Sequence, residues 1–403
     1  MTKTTWAVGA AALGAMIALP ATQADAKAFR VGATRTITSI QAAVDMASDG
    51  DKIIVDAGTY MEPSVGDYAV QATGKALKFI GRSKPGNPVL IVPNAGQSHG
   101  ILIEGTEENF VENIFVKGFT VQGFSGNGIW LRYVDGFKID KNTSIDNGNN
   151  GIWPTLSANG LVKNNVSYGS DDSALWVEGG QNVRVMKNEL YDSVTGLEVT
   201  ISENVEMKKN TVRNNTVGVG LYHPNGAGLP QPAFITSNDG WELQKNNIFD
   251  NNRDNSAPPA SLAGSLPKGG GILVFGVDGV RGSRNTVEDN DFYGIALVDY
   301  CAGVTGGDGS CENVLPLVQG MPENNRFEKT VLTNNGTNPP SHPLDPYAAD
   351  LTYILTDIFN DGTYSGPYPL PNVVCGTPTS SFSQSGIPGF PTNGANLLVS
   401  SKC

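Results

Sequence analysis

Hydrophobic and polar positions alternate along this chain in short runs, and the runs recur. Counting from a small residue, the first and third following positions are apolar at Ile129 and Leu131, Ile152 and Pro154, Leu175 and Val177, Leu197 and Val199, Val219 and Leu221, Ile272 and Val274, and Ile295 and Leu297. Alternation of period two marks a half-buried strand, so these positions point inward and the second and fourth point outward. A second marker keeps time with the first. A charged residue precedes Asn at Lys141-Asn142, Lys163-Asn164, Lys187-Asn188, Lys209-Asn210, Lys245-Asn246, Arg284-Asn285 and Glu323-Asn324, with Asn-to-Asn steps of 22, 24, 22, 36, 39 and 39 residues. The longer steps read as the same unit carrying inserted loops.

A period near 22 with short β-branched runs suits stacked β coils and not helical repeats, whose units are longer. Such a unit cannot bury its own apolar face and must stack on its neighbours, with equivalent residues about 4.8 Å apart. The expected fold is all-β: a single-stranded right-handed parallel β-helix, or solenoid, over residues 59–335. Repeated Asn at one bend can pass side-chain hydrogen bonds up the stack. Residues 27–58 read as an N-terminal cap, a helix from Ser39 to Ala47 followed by the strand Lys52-Ile53-Ile54-Val55, because an uncovered end coil is an open sheet edge. Loops leave the stack near 223–240, 253–269 and 302–322, and 336–403 reads as a C-terminal cap and irregular tail rich in Pro, Gly, Ser and Thr.

The first residues change the expected compartment. Lys3, an apolar run from Ala7 to Leu19 and Ala24-Asp25-Ala26 match a secretory signal peptide over residues 1–26, so the mature chain is expected to begin at Lys27 in the periplasm or outside the cell. No later segment has the length and apolarity of a transmembrane helix. A formal net charge of −12 disfavours nucleic acid as a partner. Four cysteines, Cys301, Cys311, Cys375 and Cys403, read in an oxidising compartment as two disulfides; Cys301 with Cys311 and Cys375 with Cys403 is the preferred pairing, since each ties down an irregular segment.

The outward positions carry the candidate chemistry. One ladder holds Trp130, Trp153, Trp176 and Glu198; the neighbouring ladder holds Arg132, Thr155, Glu178, Thr200 and Tyr222. Exposed aromatic rings suit the apolar faces of sugars or a partner protein. Against that stands the alternative that a loop covers these rings and makes them core. Glu178 and Glu198 on adjacent coils, with Tyr222 and His223, offer general acid and base groups, and Arg132 can pair with a substrate carboxylate. Asp171 and Asp172 raise the prospect of a cation such as Ca²⁺. Lys187 and Lys209, within a basic column that includes Lys141, Lys163, Lys245 and Arg284, suit a polyanion, with simple solvation as the bland reading.

Gly151-Ile152-Trp153-Pro154, Asp171-Asp172-Ser173-Ala174-Leu175-Trp176-Val177, Thr195-Gly196-Leu197-Glu198-Val199, Val217-Gly218-Val219, Asn251-Asn252, Asn255-Ser256-Ala257, Gly269-Gly270-Gly271-Ile272-Leu273-Val274 and Gly294-Ile295-Ala296-Leu297-Val298 resemble the exported bacterial parallel β-helix repeat proteins of the pectin-lyase-like superfamily. The resemblance spans roughly residues 30–335 and implies the fold. It departs from that family's pattern at Thr200 and Ser256, where an acidic and an aromatic residue are common. Pectate lyases, alginate lyases and mannuronan epimerases share the architecture. The Asp-Pro-His cluster of the epimerases has only Tyr222-His223-Pro224 as its counterpart here, in the wrong order, and no pectate-lyase-like Arg motif occurs. Two expectations follow. One is a polysaccharide-processing enzyme, a lyase or epimerase at a uronate. The other is a non-catalytic glycan- or protein-binding, or assembly, protein of the cell envelope, in which loss of Trp153 and Trp176 removes binding and leaves stability unchanged.

Overall fold

The computed structural model describes residues 26–63, 66–222, 231–237, 239–298, 322–341, 348–354, 371–376, 382–384, 397–400, 402 and 403. Residues 1–25, which hold most of the expected signal peptide, and His223, Cys301 and Cys311 lie outside them. Within them, three parallel sheets of 13, 10 and 11 strands, named here A, B and C in that order, run the length of the molecule. One coil shows the plan. Ile152–Thr155 lies in sheet C, Ala158–Lys163 in sheet A and Val166–Tyr168 in sheet B, and the chain re-enters sheet C at Ser173–Glu178.

Coils stack in register because the inward residues are alike. Ile129 pairs with Ile152, Ile152 with Leu175, Leu175 with Leu197 and Leu197 with Val219. All five are sealed from solvent, none more than 1% exposed. This is a right-handed parallel β-helix, and its core is the column of these side chains.

From residue 141 onward the corner between sheets A and B is a two-residue bend. Its first residue is left-handed, with φ of 58° at Lys141, 54° at Asn164, 55° at Lys187, 57° at Lys209, 56° at Lys245 and 54° at Arg284. Its second is a buried Asn in six successive coils: Asn142, Asn165, Asn188, Asn210, Asn246 and Asn285. Asn142 Oδ1 accepts the Phe119 N–H at 3.1 Å, and the Oδ1 of each of the other five accepts the backbone N–H and the side-chain amide of the Asn one coil earlier, at 2.9 to 3.2 Å. Two of the sequence pairs shift. Lys163 ends its sheet A strand, Asn164 takes the bend and Asn165 joins the ladder, because the segment offers two asparagines and the second has the buried register. Glu323-Asn324 belongs to the corner that enters sheet A, where the Asn325 side chain accepts the Val280 N–H at 2.8 Å.

At the N-terminal end, helix α1 (Ile40–Met46) starts at Ser39, whose hydroxyl accepts the Ala42 N–H at 3.1 Å, and the buried Glu62 accepts the Ile40 and Gln41 N–H groups at 2.8 and 3.0 Å. Ile40, Ala43 and Val44 join the coil core. The C-terminal part corrects the expectation of an irregular tail. Ala349–Ile354 and Phe382–Gln384 continue sheet C, and Asn372–Cys375 and Leu397–Ser400 continue sheet A. These rungs are short and widely separated in sequence, so their alternation is too brief to read. Cys375 and Cys403 lie at disulfide distance, with Cα atoms 5.0 Å apart. No helix among the described residues is long and apolar enough to cross a membrane.

Candidate functional site

The outer face of sheet C gathers the aromatic and acidic ladders. Trp130 pairs with Trp153, Trp176 with Glu198 and Glu198 with Gly220; in the next column Arg132 pairs with Thr155, Thr155 with Glu178, Glu178 with Thr200 and Thr200 with Tyr222. The indole rings stack on one another, Trp130 on Trp153 at 4.7 Å and 13°, Trp153 on Trp176 at 5.2 Å and 8°. Tyr68 and His99 tilt against Trp130 at its far end. The three rings are therefore half-buried and present edges outward, and Trp153 has both faces occupied by its neighbours. Of the two readings of these rings, open platform or covered core, the half-buried stack stands between: rings one strand apart satisfy each other and leave their edges to solvent.

The polar edges of Trp153 and Trp176 are tied as well. Trp153 Nε1 donates to Glu178 Oε2 at 3.0 Å, Thr155 Oγ1 donates to the same oxygen at 3.2 Å, and Trp176 Nε1 donates to Thr200 Oγ1 at 2.8 Å. Glu178 is only 6% exposed and Glu198 8%. Burial, reinforced by Asp172 and opposed by the two hydrogen bonds and the Arg132 charge, pushes Glu178 up to about 7. Burial first, then Asp172 and Glu178, hold Glu198 well above its ordinary value, although Ser173 Oγ donates to it. Asp172 is pushed up by burial to about 6. Three carboxyls thus sit close enough to oppose one another's ionisation in a poorly hydrated place.

Glycines shape the adjoining hollow. A Cβ on Gly220 would stand 2.4 Å from the Tyr222 hydroxyl, and one on Gly270 would stand 2.4 Å from that of Tyr293, so each ring folds over a glycine. Burial and Glu198 keep the Tyr222 phenol protonated, and burial does the same for Tyr293. The hydroxyls of Thr195, Tyr222 and Tyr293 and the Trp130 Nε1 are buried without a completed hydrogen bond. Thr195 acts on Tyr222 from close by, yet no hydrogen bond between the two has acceptable geometry. Orphan donors of this kind, beside carboxyls, make a place built to receive polar groups.

Arg132 and Tyr222 share the outer face of sheet C with the carboxyls, while Lys187 and Lys209 do not: they stand at the corner between sheets A and B. Asp171 and Asp172 are half-buried in the bend entering sheet C. Among the described residues one group of three or more His, Cys, Asp and Glu donors lies within 4.8 Å, Glu328 with Cys375 and Cys403, and it includes neither aspartate. Ser173, Thr195 and Tyr293 escaped the reading of the sequence, although each holds the same coil position, three residues before the Trp176, Glu198 and Ala296 column.

The chain thus has the fold of a right-handed parallel β-helix. Residues 91–229 match the family described as right handed beta helix region. Among solved structures, the chain is similar to two mannuronan C-5 epimerase A-modules of Azotobacter vinelandii. For AlgE4 the TM-score is 0.60 at 13% identity, covering 90% of this chain and 91% of that one. For AlgE6 the TM-score is 0.56 at 15% identity, covering 90% and 93%. At this identity the likeness is one of fold. No curated protein matches the sequence.

Proposed function

We propose that this protein is exported, and that it binds a polysaccharide across the outer face of sheet C and processes it by proton transfer at a uronate unit. The observation that carries the reading is a contrast among neighbouring groups: Glu178 near 7, Glu198 held well above its ordinary value by burial and by Asp172, the Tyr222 phenol protonated, and Arg132 close enough to act on Glu178. The cation Arg132 draws the substrate carboxylate and so acidifies the adjacent carbon-bound proton. Glu178, ionised in about half the molecules at neutral pH, takes that proton. Glu198 or Tyr222 then returns a proton to the opposite face of the same carbon, giving epimerisation, or to the departing glycosidic oxygen, giving elimination. Each route moves one proton off and one on, and neither needs a redox partner. The fold shared with the two epimerase modules supports a carbohydrate substrate.

Incubation with polymannuronate, alginate and polygalacturonate tests the reading, followed by proton NMR for epimerisation and ultraviolet absorbance for the unsaturated product of elimination. One of the two signals is expected, rising with pH through about 7 as Glu178 ionises and lost in Glu178→Gln. Silence of both on every uronan would retire it. The binding-protein reading draws on one observation, the two hydrogen bonds that already hold Glu178. It is the better account if Glu178→Gln binds and behaves as the parent does.

A further inference from the structure

The corner between sheets A and B repeats a choice that local structure disfavours. From residue 141 onward its left-handed position holds Lys141, Lys187, Lys209, Lys245, Arg284 and Lys329, with Asn164 as the one neutral member. A side chain with a Cβ loses roughly 1 kcal/mol in this conformation, and Asn, Asp and Gly lose least. The corner between sheets B and C obeys that rule, using only Asp, Asn or Gly at its left-handed position, as at Asp192, Asn214 and Asp250.

Packing does not ask for these cations either. All six are exposed, and none forms an ion pair. The carboxylates nearby are taken: Asp140 by Lys138 at 3.4 Å, Glu206 by Lys208 at 3.1 Å, Glu189 by Arg213 at 2.9 Å and Glu328 by Arg326. Successive coils place like charges about 4.8 Å apart, where they repel. Backbone strain and mutual repulsion therefore recur in coil after coil of a chain whose net charge is −12.

We infer that this column is a second binding site, for a single-chain anionic polysaccharide lying along the helix axis. Width decides the class of polyanion. A three-residue strand of sheet B separates the cations from Asp146, Asp192, Asp250 and Asp289. That is roughly 10 Å, about one Debye length at moderate salt. A lone polymer chain feels the cations, whereas a nucleic-acid duplex or a bilayer would also meet the aspartates and the acidic body of the protein. Only the choice of a saccharide rests on the proposed function; the column binds independently of the carboxyls on sheet C.

The test uses the mature chain, its Lys187→Asn, Lys209→Asn, Lys245→Asn triple variant and Glu178→Gln. Each is titrated with oligogalacturonate, with single-stranded DNA and with phosphatidylglycerol vesicles over a range of salt. The parent and Glu178→Gln are expected to bind the oligouronate with a steep salt dependence. The triple variant should lose at least about tenfold in affinity and flatten that dependence, while its Tm holds or rises, because Asn relieves both strain and repulsion. Undiminished oligouronate binding by the triple variant overturns the inference, as does a parent that prefers DNA or vesicles. A triple variant that loses binding while Glu178→Gln keeps it, with no turnover by the parent, upholds this site and sinks only the proposed chemistry.

Discussion

A glutamate in water ionises near 4.5, and burial moves Glu178 to about 7, so between those values the folded protein keeps a proton that the unfolded chain has released. Stability from this group is full below about 4.5, falls as pH rises and is gone above about 7, on the order of 3 kcal/mol in all. Asp172, raised to about 6, acts in the same direction. Thermal melts across this window are expected to show Tm falling with pH, with a shallower fall in Glu178→Gln; a rising Tm would mean that Glu178 is solvated. Gly220 offers a second test at this scale. Gly220→Ala drives a methyl into the Tyr222 ring and should lower stability by about 1–3 kcal/mol. The acids themselves were legible in strand parity. Their protonation was not, since it depends on how closely Asp172, Glu178 and Glu198 are buried against one another and against side chains of neighbouring coils, which alternation alone does not give.

Two ladders explain how the elements hold register, and each makes a prediction. Asn188 Oδ1 accepts from both nitrogens of Asn165, while its Nδ2 donates to the Val162 carbonyl at 3.0 Å and to Asn210 at 3.1 Å. Asn188→Ala orphans several buried groups at once and should cost about 3 kcal/mol or more by chemical denaturation. Trp153→Ala opens a gap between two stacked indoles and removes a donor to Glu178, for a loss of about 3 kcal/mol. That replaces the expectation of unchanged stability, which assumed free rings. The first Asn ladder was legible because a charged residue flags it. The second, Asn215, Asn251, Asn290 and Asn335, was missed, although it follows the first bend at a constant interval; it is bonded at 3.1 to 3.2 Å. The doubled asparagine at 164–165 caused one slip of register, since sequence cannot say which of two neighbours turns inward; the other took Glu323-Asn324, at the corner entering sheet A, for the bend that leaves it at Lys329-Thr330.

For the whole molecule, parity and period were enough to read the winding, because every coil repeats one short-range rule. The ends were harder: the last rungs are separated by more residues than they contain. The leader predicts a mature N-terminus at Lys27 in the exported protein, checked by mass spectrometry of the periplasmic and culture fractions; an intact Met1 in both would exclude cleavage there.

From residue 141 to 330 the bend between sheets A and B is two residues long in every coil, whereas the long connections at 223–241, 250–269 and 299–325 all leave at the other two corners. Both of those corners border sheet C. Inheritance can therefore lengthen or swap segments on either bank of the carboxyl-bearing face without breaking one bond of the asparagine ladder between sheets A and B, so that a rigid spine and a changeable rim are written into the same turn of chain.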